Sequence, residues 1–372
     1  MSFNFNLHVL MKIVLKYVFN AICLFAVLLH GTLAFAQDDT KNKKLGEATE
    51  RVFATWLVDN GIKDGAMVVM RSGEVIHRYE KGNRKVDKPV TIASLTKAFT
   101  GACVAQLIDA GQLQLTDKLA DVLKVDLANL DKPIDARFNQ ITISDLLRNR
   151  SGFSPSADYT LGGMANFLRG NDRSKKNHQS QMDQITRFVL ASDPGSTYFY
   201  LNLNWLLLGS VIERVTGESY ENYCYKAILK PINLPAFVLS PEWTMMSSYG
   251  GWYTTAQDYA RFADQLGRSV ALRKGPVNEW LLKLNAEVGA GKPFYALGTN
   301  IRITPRGRTF WHAGSWLAKG TGVGGSFDDS FGSLFVSYDH GVTYMMHYSN
   351  AMQGKAGDLE RLMGQAIRES LQ

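Results

Sequence analysis

From residue 46 onward the hydrophobic and polar positions alternate between two periods. Residues 46–60 repeat at helical spacing and predict a helix. "GAMVVMRSGEVIHRYEKG" (65–82) alternates on either side of Ser72-Gly73 and predicts a β-hairpin. "IASLTKAFTGACVAQLIDA" (92–110) is apolar on nearly all sides until Gly111, as a buried helix is. "QLQLTDKLADVL" (112–123) predicts a short helix capped by Thr116 or Asp117. Further helices are expected at 143–153, running into a turn, at 204–217 with Gly217 as its stop, and at 219–229 with Ser219 as cap. A capped helix is expected at 254–267. Strand signals follow near 296–302, 308–312, 333–338 and 342–348, the last two around an Asp339-His340-Gly341 turn. Residues 357–371 close the chain as an amphipathic helix. No repeat is visible.

Early strands, a helical middle and late strands predict a mixed α/β fold of the α+β type. Its antiparallel sheet is flanked by helices and shared by the two ends of the chain, about 46–95 and 240–372. A mainly helical region, about 96–239, is inserted between them. Residues 160–185 are polar around "NDRSKKNHQS" and read as a surface excursion.

The first 36 residues read differently. Lys12 and Lys16 precede an apolar stretch that ends in Ala34-Phe35-Ala36, the pattern of a cleavable secretory signal. The stretch is short for a membrane span, so no stable anchor is expected after cleavage. The ten residues before Met11 add nothing a signal needs, and either methionine serves as a start. Residues 37–45, with the basic run Lys41-Asn42-Lys43-Lys44, read as a solvated leader before a single domain over 46–372. The expected location is periplasmic or secreted.

Composition narrows the classes. The chain has 372 residues, with 41 lysines and arginines against 34 acidic residues. Removing residues 1–36 leaves a formal balance of +5 from 39 basic and 34 acidic side chains. No basic stripe interleaved with aromatics is present, which argues against nucleic acid. No Cys/His spacing suits zinc, and neither a metal nor another cofactor is expected. After Cys23 leaves with the signal, Cys103 and Cys224 remain; an exported protein could pair them, but sequence does not show that their Cα atoms approach, and two buried free thiols are expected.

Three short patterns carry chemistry. Ser94 and Lys97 form the one Ser-x-x-Lys in the chain. At i and i+3 on a helix they share a face. A serine at a helix start has backbone N–H groups and the positive dipole end beside it, which favours the oxyanion of acyl transfer. A lysine among apolar groups has its neutral form favoured and can take a proton. An N-cap serine above a lysine that reaches for solvent would give the same letters. Tyr200-Leu201-Asn202 follows a Pro194-Gly195 turn and precedes a helix, which presents it from a loop. Tyr220-Glu221-Asn222 and Tyr348-Ser349-Asn350 repeat the spacing but read as packing and as a strand end. His312-Ala313-Gly314 ends a strand, where a glycine admits close approach of another backbone and His312 could bind a substrate carboxylate or carbonyl. A histidine satisfied within its strand fits equally.

In order and spacing these patterns resemble the serine penicillin-recognising superfamily, in the branch of class C β-lactamases, low-molecular-weight DD-peptidases and their esterase and amide-hydrolase relatives. The resemblance spans about residues 46–370 and includes "SYGGWYTTAQDYARFADQL" (248–266). It implies a β-lactamase/transpeptidase-like fold, with Ser94 as the acylated nucleophile and Lys97 and Tyr200 sharing its proton. It also implies Asn202 positioning Lys97 and substrate, His312 and Gly314 lining the substrate strand, and an oxyanion hole from the N–H groups of Ser94 and Ser315. Three departures stand out. Leu201 replaces the usual serine. Asn149-Arg150-Ser151-Gly152 replaces a His-Thr-Ser-Gly turn. His312-Ala313-Gly314 stands where the family has Lys-Thr-Gly or His-x-Gly and lacks the lysine of the first form, and "KGTG" (319–322) reads as loop. Strong β-lactamase activity is therefore not expected. Trp311, Trp316 and Phe153 flank the motifs and suit either an apolar subsite or core packing. The implied function is an exported serine hydrolase acting on a small ester, amide or peptide. The alternatives are a DD-carboxypeptidase or weak β-lactamase, and a non-catalytic ligand-binding relative.

Overall fold

Strand pairing brings the two ends of the chain into one sheet. The computed structural model describes residues 38–124, 135–157, 188–239, 247–268, 272–316, 330–350 and 356–372. The signal segment, the polar excursion at 160–185 and the "KGTG" loop fall outside these residues. A first helix α1 (38–59) leads into β1 (Gly65–Arg71) and β2 (Glu74–Lys81). The late strands are β6 (Phe294–Ala296), β7 (Thr299–Thr304), β8 (Gly307–Trp316), β9 (Phe331–Tyr338) and β10 (Val342–Ser349). They combine into a seven-stranded sheet in the order β2-β1-β10-β9-β8-β7-β6. Every neighbouring pair is antiparallel. Short strands β3 (Val90–Thr91), β4 (Val238–Leu239) and β5 (Trp252–Thr254) make a second sheet.

Each face of the large sheet buries its own apolar layer, as the period of two in β1 requires. Ala66, Val68 and Met70 face a core shared with α2 (Thr96–Asp109), α3 (Leu119–Val122), α4 (Ile143–Leu147), α5 (Asn202–Thr216), α6 (Tyr220–Cys224), α7 (Ala256–Arg268) and α8 (Gly275–Val288). Met67 and Val69 face the opposite layer, against Phe53 and Trp56 of α1 and Leu359 and Met363 of α9 (Ala356–Ser370). Among the described residues no helix is long and apolar enough to cross a membrane.

Several expectations are corrected. α1 starts by residue 38, so the expected leader is helical, and Leu45 is fully buried. An apolar residue that reaches the core extends the helix past its solvated lysines. α3 starts at Leu119 behind Lys118, not behind Thr116 or Asp117, whose carboxylate instead accepts from Gln114 N at 2.7 Å. Cys103 and Cys224 are not free thiols but a disulfide, with Cα atoms 5.5 Å apart. The cause is the packing of α6 on α2. The Tyr220 and Thr100 hydroxyls hydrogen-bond at 2.6 Å, and each cysteine lies one turn further along its helix.

Candidate active site

Ser94 lies in a 3-10 turn, Ala93–Leu95, immediately before α2. It makes no side-chain cap, so the N-cap reading does not hold. Ala93 is held at φ +46, a conformation that costs a non-glycine residue about 1–3 kcal/mol. The turn is fixed from several sides. Ile92 N donates to Trp252 O at 3.1 Å, and the Tyr259 hydroxyl donates to Leu95 O at 2.8 Å. Lys97, one turn on, is fully buried. Its Nζ donates to Ser94 Oγ and to Tyr249 O, each at 2.9 Å. The second contact ties the amine to a carbonyl 152 residues away in sequence, which holds Nζ over the serine.

β8 passes close beside this turn. A Cβ at Gly314 would lie 2.5 Å from Ile92 O, 2.6 Å from Ser333 Oγ and 3.2 Å from Ser94 N. The backbone that Gly314 admits is therefore the protein's own. Ser333 Oγ also bonds both Ile92 O and Gly314 O at 3.2 Å, riveting strand to turn. Pairing of β7 with β8 ends at Asn300 opposite Trp311, and Ala313 to Trp316 run beyond Thr299, the first residue of β7. His312 and Gly314 are buried on the face toward α2. Ala313 and Ser315 point to the other face, where Ser315 is exposed, so only its main chain can serve an oxyanion hole. Trp311 joins that other face over Arg302, 5.3 Å from its ring centroid, and Phe153 packs between Phe138 and Phe188. Both are packing residues. Tyr348 likewise packs on Trp56 at 4.9 Å.

Tyr200 and Asn202 arrive at the N-terminus of α5. Lys97 Nζ stands 5.0 Å from the centroid of the Tyr200 ring, which is 39 % exposed. Asn202 is the first residue of α5, and Leu201 is buried behind it. The loop is held by Asn149, a buried residue at φ +56, which asparagine tolerates better than most. Its carbonyl accepts from Phe199 N at 2.9 Å, and its Oδ1 accepts from Asn204 Nδ2 at 2.8 Å and Leu201 N at 3.4 Å.

Tyr295, which no sequence pattern singled out, sits between the two groups. Its hydroxyl lies 3.3 Å from His312 Nε2. Its ring meets Tyr200 edge-on at 5.8 Å and Tyr198 at 6.0 Å. Burial pushes its hydroxyl well above the ordinary tyrosine range, with Tyr200 next in effect, so it keeps its proton. Burial, and then the charge of Lys97, pushes the His312 imidazole down to about 3. His312 is therefore neutral near pH 7 and supplies no cation for a carboxylate. Among the described residues no cluster of three or more His, Cys, Asp or Glu could hold a metal.

A buried amine on a serine hydroxyl, at a constrained helix start beside a strand that outruns its β7 partner, can carry acyl transfer. Residues 49–367 match the model of the Beta-lactamase family. The chain belongs to that family. The "Putative D-alanyl-D-alanine carboxypeptidase" of Escherichia coli (strain K12) is 25% identical over 224 residues, 55% of this chain and 50% of that protein. "Protein flp" of Staphylococcus aureus (strain MRSA252) is 31% identical over 185 residues, 46% of this chain and 34% of that protein. This β-lactamase-family chain thus spans half the length, or less, of these curated relatives. A D-stereospecific amidohydrolase from Streptomyces sp. shares the fold with a TM-score of 0.64 at 20% identity, covering 85% of this chain and 97% of that one. A class C beta-lactamase mutant does so with a TM-score of 0.62 at 14% identity, covering 88% and 98%. The fold is that of β-lactamases and penicillin-binding proteins.

Proposed function

We propose that this β-lactamase-family chain is an exported hydrolase that cleaves an ester or amide through an acyl-enzyme on Ser94. Ser94 Oγ attacks the substrate carbonyl carbon, and its proton passes to Lys97 or Tyr200. The oxyanion is received by the N–H groups of Ser94 and Ser315. The C–O or C–N bond then breaks, and the alcohol or amine leaves with the proton. Water repeats the sequence on the acyl-serine and releases the acid. Asn202 orients the amine and the substrate, while His312 and Gly314 shape the strand edge along which the substrate lies. The single observation carrying this reading is the 2.9 Å contact of the buried Lys97 Nζ with Ser94 Oγ. Export is supported by the signal-like leader and by a disulfide, which persists in oxidising compartments.

The substrate class is a small ester, an amide or a peptide carrying D-residues. The names of the Escherichia coli and Streptomyces relatives favour the D-configured choice. A DD-carboxypeptidase is the second reading, for the same reason. Strong β-lactam turnover is disfavoured, because the third motif offers a buried neutral imidazole and no cation of its own to a β-lactam carboxylate. A chromogenic short-chain ester, a D-Ala-D-Ala peptide and a chromogenic cephalosporin, each with wild type and Ser94→Ala, sort these readings. Turnover that depends on Ser94 supports hydrolysis. A ligand that binds both forms equally without turnover would make the chain a non-catalytic binding relative.

A further inference from the structure

Lys97 is held over Ser94 by a carbonyl, and that carbonyl has a hydrogen-bonded support of its own. Lys97 Nζ donates to Tyr249 O at 2.9 Å. The preceding carbonyl, Ser248 O, accepts from the Thr100 hydroxyl at 2.7 Å. Thr100 Oγ1 lies 2.6 Å from the Tyr220 hydroxyl, and Trp252 Nε1 donates to that same hydroxyl at 3.0 Å. Thr100, Tyr220 and Ser248 are fully buried, and Trp252 is nearly so.

Chemistry fixes the direction of these bonds. An indole N–H only donates, a carbonyl only accepts, and a hydroxyl has one proton to give. One assignment satisfies all three contacts: Trp252 donates to Tyr220, Tyr220 to Thr100, and Thr100 to Ser248 O. The Thr96 carbonyl, 3.3 Å from the Thr100 hydroxyl, is the weaker acceptor. Burial raises the Tyr220 hydroxyl well above the ordinary tyrosine range, so it keeps the proton that it gives to Thr100. Bonds that run one way through a low-dielectric core strengthen one another.

The relay closes on the nucleophile at both ends. Trp252, whose indole begins it, accepts through its main-chain carbonyl from Ile92 N at 3.1 Å, two residues before Ser94. At the other end Lys97 Nζ donates to Ser94 Oγ at 2.9 Å. One tryptophan thus sets the turn that carries the hydroxyl. Through Tyr220, Thr100 and the Ser248-Tyr249 main chain it also sets the amine that meets that hydroxyl. We propose that Thr100, Tyr220 and Trp252 are positioning residues for acyl transfer, their relay holding the Ser248-Tyr249 main chain so that Tyr249 O keeps Lys97 Nζ on Ser94 Oγ. The role rests on the acyl-enzyme reading, in which Lys97 takes a proton from Ser94. Tyr220, a packing residue by its sequence context, thereby acts on the site through Thr100.

The test is stopped-flow acylation of the full oxidised chain by p-nitrophenyl acetate. The rate at saturation and the half-saturating concentration are read separately for each variant, per folded molecule. Thr100→Val removes the middle hydroxyl at nearly constant shape. It should lower the saturating rate about 10–100-fold and leave the half-saturating concentration within about twofold. Thr100→Ser restores the hydroxyl and should return the rate to near that of wild type. Tyr220→Phe leaves the Thr100 bond to Ser248 O in place, so the rate should fall several-fold but by less, and this variant decides if Thr100→Val does not fold. Met67→Ala, on the other face of the sheet, should lose stability and keep the rate, which separates positioning from stability. A wild type acylated on Ser94 beside a folded Thr100→Val or Tyr220→Phe that reacts at its rate overturns the positioning role alone. So does an equal loss in Thr100→Val and Thr100→Ser. A wild type with no Ser94-dependent acylation overturns the acyl-enzyme reading and the positioning role with it.

Discussion

The two faces of the large sheet are built from one set of strands, yet they bury different chemistry. The face toward α1 and α9 is covered by Leu45, Phe53, Trp56, Leu334, Val336, Met346 and Leu359 in a nearly unbroken apolar layer. The face toward α2 buries Lys97, Thr100, Asn149, Asn204, His312, Ser333 and His347 beside its hydrocarbon. Burying such groups costs free energy unless they find partners. Here the partners come from far along the chain, such as Tyr249 O for Lys97 and Thr91 O for His347 at 3.3 Å. One face contributes stability. The other gives up some of it to fix an amine, a hydroxyl and a strand edge in one geometry.

Perturbing the polar face should cost activity first, and perturbing the apolar face stability first. The largest expected effect is Lys97→Met. Removing one of the two proposed proton acceptors should slow acylation of Ser94 by about 10²–10⁴-fold, read by stopped-flow with an activated ester, while thermal unfolding stays cooperative. An unchanged rate would move the proton transfer elsewhere. Next is the disulfide. It closes a loop of 121 residues, for which chain entropy gives about 4–5 kcal/mol. Replacing both cysteines with alanine should lower Tm by roughly 10 °C, and a shift under a few degrees would show that the link carries little. Gly314→Ala should follow. Its Cβ would collide with Ile92 O and Ser333 Oγ, an overpacking cost of about 1–3 kcal/mol, and acylation should fall further than stability does. Met67→Ala on the apolar face should show the reverse, losing about 2–5 kcal/mol of stability with the rate per folded molecule kept.

A separate effect is a slope with pH. Burial first, and then nearby charges from Lys97 and Arg84, hold His312 and His347 down to about 3, against 6.5 unperturbed. Between those values the unfolded chain binds more protons, so stability falls as pH drops from about 6.5 toward 3 and is fully present above 6.5. Urea midpoints should trace that slope, and His347→Gln should flatten it. A wild-type midpoint constant down to pH 4 would refute the burial of both neutral rings. For the same reason no limb of the pH–rate profile between 5 and 8 should come from His312.

Sequence pattern carried much of this. The hairpin at Ser72-Gly73, the buried helix after Ser94 and the late strands are legible because each has one period and local punctuation. The Ser94–Lys97 pairing is legible because three residues on a helix fix two side chains on one face. Tyr295, Tyr249 and Asn149 were not legible as site residues. Each acts through contacts that only the tertiary fold creates, and a lone tyrosine before a Leu297-Gly298 turn looks like any strand residue. The disulfide escaped for the same reason, since nothing local records that α6 lies on α2. Asn149 left one signal, an asparagine in Asn-Arg-Ser-Gly suited to positive φ, but its grip on the Tyr200 loop is a long-range fact.

The central claim is that Ser94 becomes acylated. Intact-mass spectrometry after incubation with an activated D-alanyl ester and with a fluorescent penicillin tests it most directly, with peptide mapping of any adduct. The account predicts one adduct per chain, mapped to Ser94, slowed in Lys97→Met and absent in Ser94→Ala. No adduct on the wild type with either probe, or an adduct that survives in Ser94→Ala, would contradict it.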